Sequence, residues 1–183
     1  VIEHVETALR IAPRTGDTLL LVGAEPAQGV ETLAGSEYLT TKLGRLAGRP
    51  MIDLDHEARV QELVLVAHEA GLLTAAHDCA DGGLAIALAE MCLAVDSGID
   101  ASAIDLGPRL DASLFGEAQS RFIVAVADDA AASDFEARAT VAGVPVTRLG
   151  SIGGARLRLG PTDLSLDDLR AAYDGGLDRA LRD

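Results

Sequence analysis

Apolar positions in this chain fall into two spacings. Unbroken runs such as Thr18-Leu19-Leu20-Leu21-Val22-Gly23 predict short buried strands, as does Ser120–Ala127 with Phe122, Ile123, Val124 and Val126. Leu72–His77 reads the same way, and Val144–Leu149 and Ala155–Leu159 read as short strands around Gly153-Gly154. Helical spacing appears at Leu39, Leu43 and Leu46, from Ser36 to near Gly48. It recurs at Val60, Leu63, Val64 and Ala67, after Asp53-Leu54-Asp55 and before a stop at Gly71. Gly83–Val95 is apolar on nearly every side, which predicts a helix that is the most buried element, ended by Gly98. Ile99–Leu106 reads as an edge strand and Leu114-Phe115-Gly116 as a turn or short helix. Asp128–Ala142 is a helix capped by Asp128 or Asp129 and stopped by Gly143, and Ser165–Tyr173 is a helix capped by Ser165. Residues 24–35 read as a loop. Strands alternating with helices predict an α/β fold, a mixed β-sheet covered by helices. The one weak boundary, at Arg49-Pro50, separates an N-terminal arm (1–50) from the main α/β body (51–183).

Composition narrows the chemistry. The chain has 183 residues, 49% hydrophobic but only 3% aromatic, so its core is aliphatic. A net charge of −14 repels nucleic acid and anionic lipid, so neither is an expected partner. An anionic ligand would need a local cation, an arginine or a helix N-terminus. Cys79 and Cys92 form no CxxC or zinc spacing, and as buried small apolar residues they suit a reducing cytoplasm. No apolar run approaches the ~20 residues of a membrane span. The start Val1-Ile2-Glu3-His4 lacks a Met and is expected to be interior to a longer polypeptide.

Three constellations stand out. Ala75-Ala76-His77-Asp78-Cys79-Ala80-Asp81-Gly82-Gly83-Leu84 places two carboxylates and two glycines between a strand and an apolar helix. A helix start offers unpaired N–H groups and the positive end of a dipole, and glycines let a phosphate approach closely. Nearby aspartates suit Mg²⁺. His77, Asp78, Asp81, Gly82 and Gly83 are therefore candidate phosphate-binding residues, with Asp78 the candidate metal contact. The plainer alternative has Asp81 capping the helix and His77 packing beneath it. In Leu114-Phe115-Gly116-Glu117-Ala118-Gln119-Ser120-Arg121-Phe122, a strand already formed at Glu117 would put Glu117, Gln119 and Arg121 on one face. They would bind a ligand, meet a neighbouring domain, or form a solvated Glu–Arg pair. In Leu33-Ala34-Gly35-Ser36-Glu37-Tyr38, Ser36 suits a helix cap and Glu37 its first turn. His4, His56 and His68 show no pairing pattern and read as surface or half-buried residues. No nucleophile elbow, GxxxxGK[ST] loop or GxGxxG motif is present.

These motifs, with Ala89-Glu90-Met91 and Gly143-Val144-Pro145-Val146, occur in an order that resembles the C-terminal part of the phosphoribosylformylglycinamidine synthase family, over nearly the whole chain. The Glu-x-Gln-Ser-Arg form resembles the small, separate synthetase of purine biosynthesis. The resemblance implies an aminoimidazole-ribonucleotide-synthase-like domain, 1–183, that is a fragment of a longer enzyme. It implies an ATP-dependent C–N ligase: ATP phosphorylates the amide oxygen of formylglycinamide ribonucleotide, and ammonia displaces phosphate to leave the amidine. The family's catalytic histidine lies upstream, so no catalytic residue is expected here and the fragment alone should be inactive. Mg²⁺ and ATP/ADP are the implied cofactors of the full enzyme. The implied partners are upstream domains of the same polypeptide, a glutaminase subunit and a small accessory subunit, in the cytoplasm. The aspartate matching Asp78 approaches magnesium on a second nucleotide in the large relatives. Gly35, Ser36, Glu37, Glu117, Gln119 and Arg121 become candidate ligand or domain-interface residues. Two positions depart from the family: Ala80 stands where a hydroxyl touches that nucleotide, and Ala34 where glycine is usual.

Two other readings compete. One is another synthase-like enzyme, such as aminoimidazole ribonucleotide synthase or a relative of selenophosphate or thiamine-phosphate kinases; the Gly35-Ser36-Glu37 and Glu117-x-Gln119-Ser120-Arg121 motifs argue against it. The other is a binding or assembly module without catalysis.

Overall fold

In a computed structural model that describes residues 8–181, the chain forms a seven-stranded mixed sheet with helices on both faces. The strands are β1 (Thr18–Val22), β2 (Leu73–Asp78), β3 (Ile99–Ala101), β4 (Phe122–Val126), β5 (Val146–Ile152), β6 (Arg156–Leu159) and β7 (Thr162–Ser165). Their spatial order is β2-β4-β1-β5-β3-β6-β7, and every neighbouring pair is antiparallel except β3–β6. The helices are α1 (Glu37–Leu43), α2 (Leu54–Glu69), α3 (Gly83–Val95), α4 (Leu110–Phe115), α5 (Asp129–Ala142) and α6 (Leu166–Ala180), with a 3₁₀ turn at Val30–Leu33.

The unbroken apolar runs are unbroken because the sheet is covered twice. Leu19 and Leu21 of β1 join Ile123 and Ala125 of β4 in a core with Leu84, Leu88, Met91 and Cys92 of α3. Leu20 and Val22 join Val124 and Val126 in a second core with Val60 and Leu63 of α2 and Phe135 of α5. Alternate side chains of one strand thus feed opposite cores.

The burial ranking differs from the sequence expectation. Leu19 through Val22 are all fully buried, so β1 is more deeply enclosed than α3. In α3, Gly83, Leu84, Ala87, Leu88, Met91 and Cys92 make a buried stripe, while Ile86 on the other side is 41% exposed. One sheet face suffices to bury a helix's stripe; only an interior strand is enclosed on both sides.

Other elements sit close to where the pattern put them. Asp53 caps α2 by accepting from the N–H groups of Asp55 and His56, and Asp128 caps α5 through Ala131 N–H. Gly143 ends α5 in the left-handed region. Ser165 accepts from the Asp168 N–H at the start of α6. α1 ends at Gly44, earlier than expected, and Leu43 and Leu46 are exposed. Asp96, not Gly98, caps the end of α3. Ile99–Leu106 is not an edge strand: only Ile99–Ala101 is extended, and it lies between β5 and β6. The edges are β2 and β7, and β7 lies where the sequence suggested a helix cap alone. The sheet crosses residue 50 freely, since β1 sits between β4 and β5. Cys79 and Cys92 are free and buried.

Register places the candidate motifs. Val22, at the end of β1, and Asp78, at the end of β2, both pair with Phe122, the first residue of β4. The segments after β1, after β2 and before β4 therefore converge at one end of the sheet.

Candidate functional site

At that end, residues 78–81 and 117–122 line a small cavity. Its walls include Glu57, Asp78, Cys79, Asp81, Glu117 and Arg121. Residues 117–121 form no strand. Ser120 takes a left-handed backbone (φ 61°), so Glu117, Gln119 and Arg121 do not share a sheet face as the alternation suggested.

Nor do Glu117 and Arg121 pair with each other. Glu117 Oε1 accepts the Gly82 N–H at 2.8 Å and the Glu37 N–H at 2.9 Å. Gly82 is the N-cap of α3 and Glu37 the first residue of α1, so one carboxylate oxygen serves two helix starts. Arg121 points the other way, donating from Nη2 to the Gly116 carbonyl. It is only 2% exposed, and its Nε and Nη1 have no hydrogen-bond partner. Burial pushes its pKa down, opposed only by the Cys79 beside it. Burial also pushes the Cys79 thiol up to about 11 and Cys92 up to about 12, so neither is a ready thiolate.

Asp81 does not cap α3: the N-cap is Gly82, and no side chain of the local segment bonds there. A remote residue, Glu117, supplies the acceptor instead. Gly83 has a structural reason to be glycine, since its φ is +67° and a Cβ would lie 2.5 Å from the Gly116 carbonyl oxygen. Asp78 remains 60% exposed at its side chain, with Oδ1 3.3 Å from His77 Nδ1. His77 Nε2 lies 2.7 Å from Glu90 Oε2 on α3, so the imidazole bridges two carboxylates. It packs on the flank of α3, beside a separate cavity that it lines with Glu90, Leu93 and Tyr173.

The third motif joins the same cluster. Ser36 is fully buried, donates to the Leu33 carbonyl at 2.7 Å and accepts from the Leu39 N–H, which makes it the expected cap of α1. Gly35 donates to the Ala47 carbonyl at 2.8 Å. Glu37 reaches the site through its backbone, while Gln119 makes only an exposed contact to the Glu117 carbonyl. The structure thus gathers Asp78, Asp81, Glu117, Gln119 and Arg121 around the cavity, ties Gly82, Gly83 and Glu37 to them through the helix starts, and leaves His77 to one side.

Several contacts are not foreseen from the sequence, some of them made by residues inside the three motifs. Thr32 accepts the Glu117 N–H, Tyr38 stacks on Phe115 with centroids 5.1 Å apart, and Ser120 donates to Glu57. His56 donates from Nε2 to the Gly23 carbonyl at 2.6 Å. His68 is half-buried, and His4 lies outside the described residues. Among the described residues no three His, Cys, Asp or Glu side chains gather to hold a metal by themselves. Nor is any described helix long and apolar enough to cross a membrane.

Comparison with known proteins bears on the fold that carries this geometry. Residues 14–159 match the family model described as AIR synthase related protein, C-terminal domain. Phosphoribosylformylglycinamidine synthase subunit PurL of Anaeromyxobacter dehalogenans (strain 2CP-1 / ATCC BAA-258) is 40% identical over 194 aligned residues, covering 100% of this chain and 25% of that protein. The chain therefore spans about a quarter of the length of such relatives. Among solved structures, T. maritima PurL complexed with FGAR superimposes with a TM-score of 0.72 at 19% identity, over 90% of this chain and 30% of that one. PurLQS from Thermotoga maritima gives 0.68 at 18% identity, over 91% and 28%. At these identities the structures establish a shared fold.

Proposed function

This chain belongs to the AIR synthase related protein C-terminal domain family, and from that premise we propose that it is the C-terminal part of an ATP-dependent ligase of purine biosynthesis. The longer protein would convert formylglycinamide ribonucleotide to formylglycinamidine ribonucleotide. The observation that carries this reading is the 40% identity to a PurL subunit along the entire chain. The order of the Gly35-Ser36-Glu37, His77–Gly83 and Glu117–Arg121 motifs agrees with it, and their convergence at one end of the sheet gives that order a physical meaning. The competing kinase-like and synthase-like readings explain the fold and the His77–Gly83 type of turn, but not the Gly35-Ser36-Glu37 and Glu117-x-Gln119-Ser120-Arg121 motifs. Residues 1–183 are one unit of the longer polypeptide, with the arm before residue 50 joined to the body through β1.

No residue of this chain is assigned a catalytic step. Its contribution is a wall for nucleotide. Asp78 and Asp81 are the two exposed aspartates lining the cavity, and Asp78 is the one where Mg²⁺ would sit. Mg²⁺ commonly takes one or two carboxylates and completes its shell with water and substrate phosphates, so the lack of a three-ligand cluster suits an ion that arrives with ATP or ADP. Mg²⁺ when bound supplies charge neutralisation for the phosphates, which a chain of net charge −14 requires. Structures of T. maritima PurL complexed with ATP and with ADP are consistent with such a role. The partners proposed are the upstream domains, a glutaminase subunit and a small accessory subunit, in the cytoplasm. Exposed Leu43, Leu46, Met51 and Leu54 form an apolar fringe that upstream domains would cover.

The test is an assay of ATP hydrolysis driven by formylglycinamide ribonucleotide and ammonia. The full reading frame containing this chain should turn over, and the purified 183-residue chain should not. Turnover by the chain alone at the rate of the intact enzyme would overturn the proposal, as would a full reading frame with no such activity.

A further inference from the structure

A carboxylate that caps a helix ordinarily belongs to that helix or to the residues just before it. Glu117 belongs to neither helix it serves. It lies 35 residues from Gly82 and 80 residues from Glu37, yet its Oε1 receives both N–H groups. Its own N–H donates to the Thr32 carbonyl at 2.8 Å, which anchors the side chain's base to the segment leading into α1. Gly116, just before it, presents its carbonyl to Arg121 and its α-carbon to Thr32. Within this arrangement the charge of Glu117 is directed at backbone N–H groups, not at the buried guanidinium of Arg121, whose Nε and Nη1 stay unpartnered.

We infer that Glu117 is a positioning residue that locks the 35–37 turn and the 81–83 turn into one register. Anionic acceptors bind backbone N–H groups more strongly than neutral ones do. One oxygen shared by two helix starts ties the turns to a common point: neither can shift without losing its own bond to Glu117 or drawing that side chain away from the other. Asp78 is held by its pairing with Phe122, whereas Asp81 rides on the 81–83 turn and lines the same cavity, so the register of the turns sets how the two carboxylates stand relative to each other. The consequence for ligand rests on the nucleotide reading above; the mechanical coupling does not.

The experiment uses the full-length protein with Glu117→Ala, Glu117→Gln and Glu117→Asp. Amide hydrogen exchange is read at Gly82 and Glu37 without nucleotide, and Mg-ADP affinity is read by calorimetric titration. In Glu117→Ala both amides should exchange about tenfold faster or more, while Leu88 and Met91 stay unchanged, and Mg-ADP affinity should fall about tenfold. Glu117→Gln keeps an oxygen that accepts both N–H groups and should restore affinity to within about threefold. Glu117→Asp is a methylene too short to reach both donors; it should reproduce the loss if the alanine variant is too unstable to purify. Exchange that changes at only one of the two amides, or at neither, would overturn the inference. So would equal affinity loss in the Gln and Ala variants. If the wild-type protein bound no Mg-ADP while both amides still responded together, the nucleotide reading would fail and the coupling would stand.

Discussion

The centre of the sheet and the loop cluster at its end are held together by different physics. In β1 and β4, side chains from Leu19 to Val22 and from Ile123 to Val126 are fully buried, and burial of aliphatic surface does nearly all the stabilising. A few residues further on, the chain is held by polar bonds between distant segments: Glu117 to Gly82 and Glu37, His56 to Gly23, Ser120 to Glu57. Non-directional burial tolerates relaxation around a lost methylene. Directional bonds fix backbone positions to a few tenths of an ångström and can be lost singly without unfolding the whole. A rigid sheet carrying a separately tunable cluster is what a ligand-bearing site requires.

Substitutions in the two regions should therefore fail differently. The largest effect is expected in the core. Leu88→Ala removes a fully buried side chain from α3 and should cost about 2–5 kcal/mol in denaturant unfolding. A loss under about 0.5 kcal/mol would mean that α3 is not part of the core. At the junction of the regions, Gly23→Ala should cost about 1–3 kcal/mol. Gly23 has φ +95°, and a Cβ there would stand 1.8 Å from the Ser120 carbonyl oxygen. A near-neutral result would show that the 116–121 segment moves away freely, and the contrast between regions would weaken.

A smaller, pH-dependent effect is expected at the start of α2. The His56 N–H, helped by Asp55 N–H and nearby cations and opposed by slight burial, holds the Asp53 carboxyl below its ordinary pKa of 3.8. A depressed carboxylate contributes stability that is present above the unfolded value and lost as pH falls through the folded one. The melting difference between wild type and Asp53→Ala should therefore shrink as pH drops below about 4. A difference that is constant down to the lowest pH would show that the charge is not what caps the helix.

Legibility in the sequence followed the same division. Strand runs and helix stripes were readable because burial leaves a local period: Leu19–Val22, Val60-Leu63-Ala67 and the Asp128 and Ser165 caps all lie where spacing puts them. The burial of β1 beyond that of α3 was not readable, because an apolar run does not say how many faces are covered. In the cluster, residue types pointed to the right neighbourhood, but the partners did not follow. Asp81 has the position of a cap, yet Glu117 fills that role from 35 residues away. Glu117 and Arg121 look like an ion pair on alternate strand positions, and the left-handed Ser120 between them turns them apart. Such bonds join segments that only the sheet register brings together, and no local spacing records them.

The smallest effects on stability are expected at the two aspartates, and there the site and the fold separate most cleanly. Asp81→Ala removes no cap and should change stability by less than about 0.5 kcal/mol. Asp78→Asn leaves an exposed side chain of the same shape and should leave the melting temperature unchanged. The decisive measurement is calorimetric titration of Mg-ADP into the full-length Asp78→Asn protein beside its thermal melt. The account predicts markedly weaker magnesium-dependent binding with no drop in melting temperature. Unchanged binding together with a large drop would assign Asp78 to the fold and contradict the site.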